Sequence, residues 1–204
     1  MLLKRALFLV SAENEVEPLV EFAKVFKKRY NVKVDVVYVK DILKYDVFPV
    51  TVEGIGINLG TNFAYKEFRN IENKTFEKIK GRLEEEFSKV YTKEGESAEV
   101  ALEELKKYDL MVTVKNEKIS PYMKELLRSI YKPLIVLPNR KNFKIENLLL
   151  LDDGAYNANK TLFTFFYMFD EQKVNVLRVN VEADESNEKL SERFGDNYKL
   201  ILRE

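Results

Sequence analysis

Short, almost uninterrupted apolar runs, each about the length of a strand and separated by stretches of helical periodicity, constrain the fold of this chain more than any other feature. Arg5 to Val10, Val32 to Val39, Asp109 to Val114 and Leu134 to Leu137 are such runs. A strand that alternates apolar and polar residues buries one face. A strand without alternation buries both, which is the condition of a parallel sheet covered by helices on each side. Between the runs, apolar residues return at helical spacing: Val16, Leu19, Val20, Ala23, Phe26 and Tyr30; then Phe76, Ile79, Leu83, Phe87 and Val90; then Ala98, Ala101, Leu102 and Leu105; then Met123, Leu126, Leu127 and Ile130. Strand and helix signals in strict alternation predict an α/β fold, a parallel five-stranded open sheet with helices on both faces.

Composition removes whole classes of chemistry. The 204 residues include no cysteine and no histidine, so disulfides, thiolate nucleophiles, imidazole bases and the common zinc sites are excluded. Thirty-four basic and 34 acidic side chains cancel, which argues against a general electrostatic hold on nucleic acid or on an anionic membrane. The apolar opening Met1 to Val10 runs straight into Ser11-Ala12-Glu13-Asn14-Glu15 and reads as a buried strand, not a leader, and no stretch reaches the length of a membrane span. The expectation is a soluble cytoplasmic protein. Lysine and glutamate are abundant and Gln172 is the lone glutamine, a composition that suggests a heat-adapted source.

Local signals divide the chain. Asn14 and Glu17 are spaced as a capping box for the first helix, with Pro18 in its first turn. Residues 40–73 read as an irregular insert whose Gly54, Gly56 and Gly60 form a hairpin or lid over the mouth of the sheet. Glu84-Glu85-Glu86 reads as a solvated helix face. Lys89 to Thr92 leads to Gly95, Ser97 reads as the cap of the third helix, and Ser120 with Pro121 as the cap and first residue of the fourth. After a polar linker at 139–142 the same grammar restarts: Leu148 to Leu151 as strand, Asp152 to Ala155 as turn, Ala158 to Phe169 as a helix apolar nearly all round, Val174 to Val181 as strand, Asn187 to Phe194 as helix and Tyr198 to Leu202 as strand. The expected domains are 1–140, complete, and 141–204, a truncated second unit packed on the first or on a partner copy.

Two segments and a closing strand carry a family resemblance. Val90 to Leu102 with Asp109 to Val114, then Leu148 to Ala155, and Lys132 to Pro138 resemble the third and fourth strands, the opening strand with its Asp-Gly turn, and the closing strand of the universal stress proteins. The resemblance implies the strand order 3-2-1-4-5 and a tandem arrangement with an incomplete second repeat. ATP-binding members of that family use an aspartate after strand one and a Gly-x-x-Gly loop, followed by Gly-Ser or Gly-Thr, after strand four. Here Ser11 falls at the aspartate position, and Lys115-Asn116-Glu117-Lys118-Ile119-Ser120 replaces the glycine loop. Phosphate cradles need glycine because only a residue without Cβ lets successive N–H groups approach an anion closely.

The ligand-binding candidates are therefore Ser11, Glu13, Lys115, Asn116, Lys118 and Ser120 around the point where strand order reverses, together with Asp153 and Gly154 of the second unit. No catalytic residue and no metal ligand is assigned. Asp152 and Asp153 could be paired carboxylates for Mg²⁺, but Asp153 reads more simply as a helix N-cap. The leading reading is a non-catalytic universal-stress-like protein without a cofactor, responding to stress by binding a small molecule or protein partner, as a homodimer. Two alternatives stand beside it. One is an adenine-nucleotide-binding member holding ATP or AMP in an unorthodox pocket around Ser11, Lys115 and Asp153, and the other is a structural or partner-binding dimerisation module that uses the stretch Lys40 to Asn73 and the aromatic helix as its contact surface.

Overall fold

The computed structural model describes residues 3–45, 59–146, 148–153, 155–169, 172–179 and 185–203. The chain forms two compact units, one from Lys4 to Phe143 and a smaller one built on Lys144 to Glu204.

The larger unit contains β1 (Arg5–Val10), α1 (Val16–Tyr30), β2 (Lys33–Asp41), α2 (Leu59–Glu84), β3 (Lys89–Gly95), α3 (Ser97–Leu105), β4 (Leu110–Lys115), α4 (Pro121–Ser129) and β5 (Leu134–Pro138). All its strand pairings are parallel and their order is β3-β2-β1-β4-β5. This is the α/β architecture expected from the uninterrupted runs, because β1 and β2 are buried on both faces. On one face Leu7, Leu9, Val37 and Val39 pack against Ala98, Ala101 and Leu105 of α3 and Met123 and Leu126 of α4. On the other, Phe8 meets Phe22 of α1 and Phe87, and Tyr38 stacks on Phe76 of α2 at 5.8 Å.

Several local readings change. The capping box over Asn14 and Glu17 does not form: a 3-10 turn over Glu13–Glu15 precedes α1, Glu17 pairs instead with Arg82 of α2 at 2.8 Å, and Asn14 reaches Asn116. The irregular stretch 40–73 is much shorter. β2 runs through Asp41, a single 3-10 turn covers Ile42–Tyr45, and α2 is already under way at Leu59, so Gly60 is helical and part of no hairpin. A helical glycine costs about 1 kcal/mol relative to alanine, which the buried side chains Phe68, Ile79 and Leu83 of the same helix outweigh. Gly54 and Gly56 lie outside the described residues. Val90 belongs to β3 and not to the second helix. Ser97 is the first residue of α3 and not its cap, and Leu127 of α4 is 49% exposed while Tyr122 turns inward.

The helix ends and strand starts explain why the elements stop where they do. Asn31 closes α1 in the left-handed region at φ 50°, its N–H donating to the carbonyl of Lys27. Asp109 precedes β4 and does not begin it. Its Oδ2 accepts from the backbone N–H groups of Lys4 and Arg5, both at 2.8 Å, tying the entry of β1 to that of β4. The ammonium of Lys132 donates to the carbonyls of Leu105, Lys106 and Tyr108, placing positive charge on the carboxyl end of α3.

The smaller unit contains β6 (Leu148–Leu151), α5 (Tyr156–Met168), β7 (Val174–Val179), α6 (Glu185–Phe194) and β8 (Tyr198–Arg203), with the parallel order β6-β7-β8. That arrangement fits a partial repeat of the first unit's β1-β2-β3 half. Leu148, Leu150, Val174, Val176 and Tyr198 pack with Leu162 and Phe166 of α5 and Leu190 and Phe194 of α6, so both helices cover one face of this sheet. Leu149 and Leu151 project the other way and are 55% and 71% exposed. The helix read as apolar all round is two-sided: Leu162, Phe166 and Met168 are buried, whereas Tyr156 and Tyr167 face out. Among the described residues no helix is long and apolar enough to cross a membrane.

Candidate functional site

Ligands of an open parallel sheet bind beyond the strand carboxyl ends where chain order reverses, which here is between β1 and β4. The residues that follow these strands do meet, around a side chain the sequence reading did not select. Glu15, only 1% exposed, folds its carboxylate back over the end of β1. It accepts from the backbone N–H of Ser11 at 2.7 Å, the Ser11 hydroxyl at 3.1 Å and the N–H of Ala12 at 3.2 Å. From the loop after β4, the Asn116 amide donates to the same carboxylate at 3.3 Å. The oxygen of that amide accepts from Asn14 at 3.3 Å and from Asn139 at 2.8 Å, so Asn116 links the loops that follow β1, β4 and β5.

The other predicted residues divide. Ser11 is buried at the centre of this cluster. Glu13 is not part of it: its carboxylate pairs with Lys78 of α2 at 2.6 Å. Lys115 and Lys118 are exposed. Ser120 caps α4, its hydroxyl accepting from the N–H of Met123 at 3.3 Å, with Pro121 in the first turn. Tyr122, on the inner side of α4, has its phenol pushed above the usual range by burial and then by the negative charge of Glu15, while hydrogen bonding to Ser11 opposes the rise. The space left among Asn116, Lys118, Ser120 and Tyr122 is about 10 Å³, room for one water, whereas small-molecule sites typically span about 300–1,000 Å³.

The signal for Glu15 was weak. An acidic side chain three residues after an N-cap serine, threonine, aspartate or asparagine marks a capping box, but Ala12 holds that place here. The backbone N–H groups are accepted by the glutamate all the same, without the reciprocal hydroxyl that makes the motif readable.

In the smaller unit Asp153 accepts from the N–H of Ala155 at 2.9 Å, an Asx turn ahead of α5, whose N-cap is Ala155 and not Asp153. Gly154 lies outside the described residues. Asp152 turns inward and accepts from the guanidinium of Arg178 on β7 at 2.8 Å, with side chains 3% and 1% exposed. Among the described residues no third carboxylate joins Asp152 and Asp153. An open groove of about 510 Å³ runs along Leu150, Leu151, Asp153, Asn157, Thr161 and Leu177.

Other perturbed groups lie at the opposite, amino-terminal end of the larger sheet. Arg5 of β1 donates to Asp35 of β2 at 2.9 Å, which raises the guanidinium above its usual value, and Tyr108 donates to the same carboxylate at 3.0 Å. Tyr91 donates to Glu104 at 2.8 Å. Burial works to raise the Glu104 carboxyl, but the hydrogen bonds from Tyr91, Lys107 and Lys93 outweigh it and hold the group below the usual range. These contacts fasten β1, β2, β3 and α3 together and lie away from the crevice.

No family model matches this chain, and no curated protein matches it. Solved structures do. A universal stress protein from Archaeoglobus fulgidus DSM 4304 aligns over 100% of this chain and 79% of its own, with a TM-score of 0.66 at 11% identity. The hypothetical protein MJ0577 aligns over 70% of this chain and 100% of its own, with a TM-score of 0.52 at 14% identity. With the parallel order β3-β2-β1-β4-β5 and a second three-stranded sheet of the same sense, the chain has the fold of the universal stress proteins.

Proposed function

We propose that this is a non-catalytic, cytoplasmic universal-stress-like protein that contributes to the stress response by binding a partner, as a homodimer, and that leaves the β1/β4 crevice of its larger unit without a nucleotide. The observation that carries the reading is the Glu15 carboxylate. It occupies the backbone donors of Ser11 and Ala12 at the end of β1, the place where an anionic ligand would need them. A phosphate brought there meets a buried negative charge, no glycine loop and no room. The exposed leucines of β6 and the outward tyrosines of α5 supply apolar surface for a partner.

A specific observation favours a second reading. The groove of the smaller unit is wide enough for a nucleoside, and Asp153, Asn157 and Thr161 line it with polar groups. An adenine nucleotide, ATP or AMP, would bind there and not at the crevice.

The two readings separate on the protein as purified. Heat denaturation followed by analysis of the supernatant yields no adenine nucleotide, and Mg-ATP leaves the unfolding midpoint in place, if the first reading holds. Stoichiometric nucleotide, or a saturable Mg-ATP shift lost in Thr161→Arg, establishes the second.

A further inference from the structure

The environment of Glu15 differs from that of an ordinary helix-capping glutamate. A capping carboxylate lies on the surface and serves its own helix, with water completing its shell. This one is 1% exposed, and one of its donors, Asn116, comes from the loop after β4, 101 residues away. The hydroxyl of Ser11 and the N–H groups of Ser11 and Ala12 donate to it as well. A buried carboxylate persists only where hydrogen bonds replace its hydration, and these donors are also the equipment of an oxyanion site.

We infer that Glu15 is a resident anion. Its side chain fills a seat built for a small carboxylate or oxyanion, bars external anions from the crevice between β1 and β4, and leaves a functional anion site when it is cut back. The inference rests on the reading that this crevice holds no ligand, and it adds that closure comes from a side chain put in as well as from glycines left out. Lys115 and Lys118 stand exposed at the rim and Asn116 within it, so an incoming anion meets positive charge before it meets the donors. Tyr122 lies close enough for the Glu15 charge to raise its phenol; a replacement anion restores that field.

The test is chemical rescue in the full chain. Acetate is the fragment that Glu15→Ala removes. Thermal unfolding of the native protein, Glu15→Ala and Glu15→Gln is followed against sodium acetate, with sodium chloride holding ionic strength constant. Glu15→Ala is expected to melt below the native protein and to recover saturably with acetate. At acetate a hundredfold above its dissociation constant, the folded-to-unfolded ratio rises about a hundredfold. The native protein and Glu15→Gln, whose seats remain filled, are expected not to respond. Inorganic phosphate then tests whether the seat takes a tetrahedral oxyanion as well.

A Glu15→Ala protein that acetate stabilises no more than chloride does overturns the inference, as does an equal acetate response in Glu15→Gln. If Glu15→Ala does not fold alone, rescue is read as recovery of folded protein on refolding in acetate against chloride, and no recovery overturns the inference. Nucleotide bound by the native protein in this crevice would overturn the underlying reading instead, and a Mg-ATP shift that survives in Thr161→Arg, whose groove is blocked, reports that separately.

Discussion

The hydroxyl of Ser97, in the first turn of α3, donates to Oδ2 of Asp41 at the end of β2 across 2.8 Å, and both side chains are buried. The other oxygen of Asp41 accepts from the N–H of Leu43 at 3.0 Å, so one carboxylate anchors the chain leaving β2 and the helix that follows β3. Ser97→Ala removes one donor from a buried charge and is expected to cost about 1–3 kcal/mol. Urea unfolding measures it, and a loss below a few tenths would show the carboxylate to be satisfied without the serine.

Gly95, the last residue of β3, sits at φ +148°, and a Cβ there would lie 2.9 Å from Cγ2 of Val100. Both the backbone conformation and the contact oppose a side chain. Gly95→Ala is expected to lower stability by about 1–3 kcal/mol, and pairing it with Val100→Ala should recover only the part due to the contact. Full recovery in the double variant would show that the backbone angle costs nothing.

Arg82 joins α2 to α1 through Glu17, and the hydrogen bond it donates holds the Glu17 carboxyl below its usual 4.5. A depressed carboxyl pKa contributes stability that is complete above the unfolded value and is lost as pH falls through the folded one. The stability difference between the native protein and Arg82→Gln is therefore expected to be largest near neutrality and to shrink below about pH 4.5. The pair is partly exposed, so the effect is modest and falls with salt. Equal differences at pH 7 and pH 3 would remove Glu17 from the explanation.

Tyrosines give the opposite slope. Burial, first of all, raises the phenols of Tyr108 and Tyr122. It also raises Tyr91, where hydrogen bonding to Tyr108 and Glu104 adds to it. Raised groups contribute stability that is present below the unfolded pKa of 10 and is lost as pH rises above it. Phenolate absorbance should appear later in the native protein than in urea, and the urea midpoint should fall above pH 10. Superimposable native and unfolded titration curves would contradict this.

Phe166 stacks on Phe194 at 4.3 Å and is buried between α5, α6 and the smaller sheet. Phe166→Ala is expected to cost about 3–5 kcal/mol, with amide exchange accelerating in β6, β7 and β8. Tyr167 is 63% exposed, and Tyr167→Glu should fold normally. If the proposed homodimer forms through α5, that variant halves the solution mass; an unchanged mass removes α5 from the proposed contact.

How far the chain could be read from its residues depended on the range of the forces involved. β1 was legible because five consecutive apolar positions, Ala6 to Val10, leave no alternative to burial on both faces. Gly60 misled because glycine lowers local helix propensity, and the tertiary packing that overrides it, such as Phe68 in the core and the Tyr38 hydroxyl bonded to Glu72, comes from β2 as well as from the helix itself. The Asp41–Ser97 bond spans 56 positions, and neither residue carries a motif that announces the other. The ends of β1 and β4 do come together, with the Ser11 hydroxyl and the Asn116 amide donating to one carboxylate. Its chemistry was hidden because Ala12 stands where a capping serine would have drawn attention to Glu15.

The bond from Asp109 to the N–H groups of Lys4 and Arg5 bears on how the chain is made. β1 is the middle strand, yet the partner on one of its sides lies more than a hundred residues further on. During synthesis, β1, β2 and β3 can pair while β4 is still within the ribosome or unmade, leaving the central strand as a temporary edge. Closure of the sheet must wait for Asp109 to emerge. Nascent chains stalled before that residue should therefore expose the β1 edge to protease or chaperone, and chains stalled well beyond it should not.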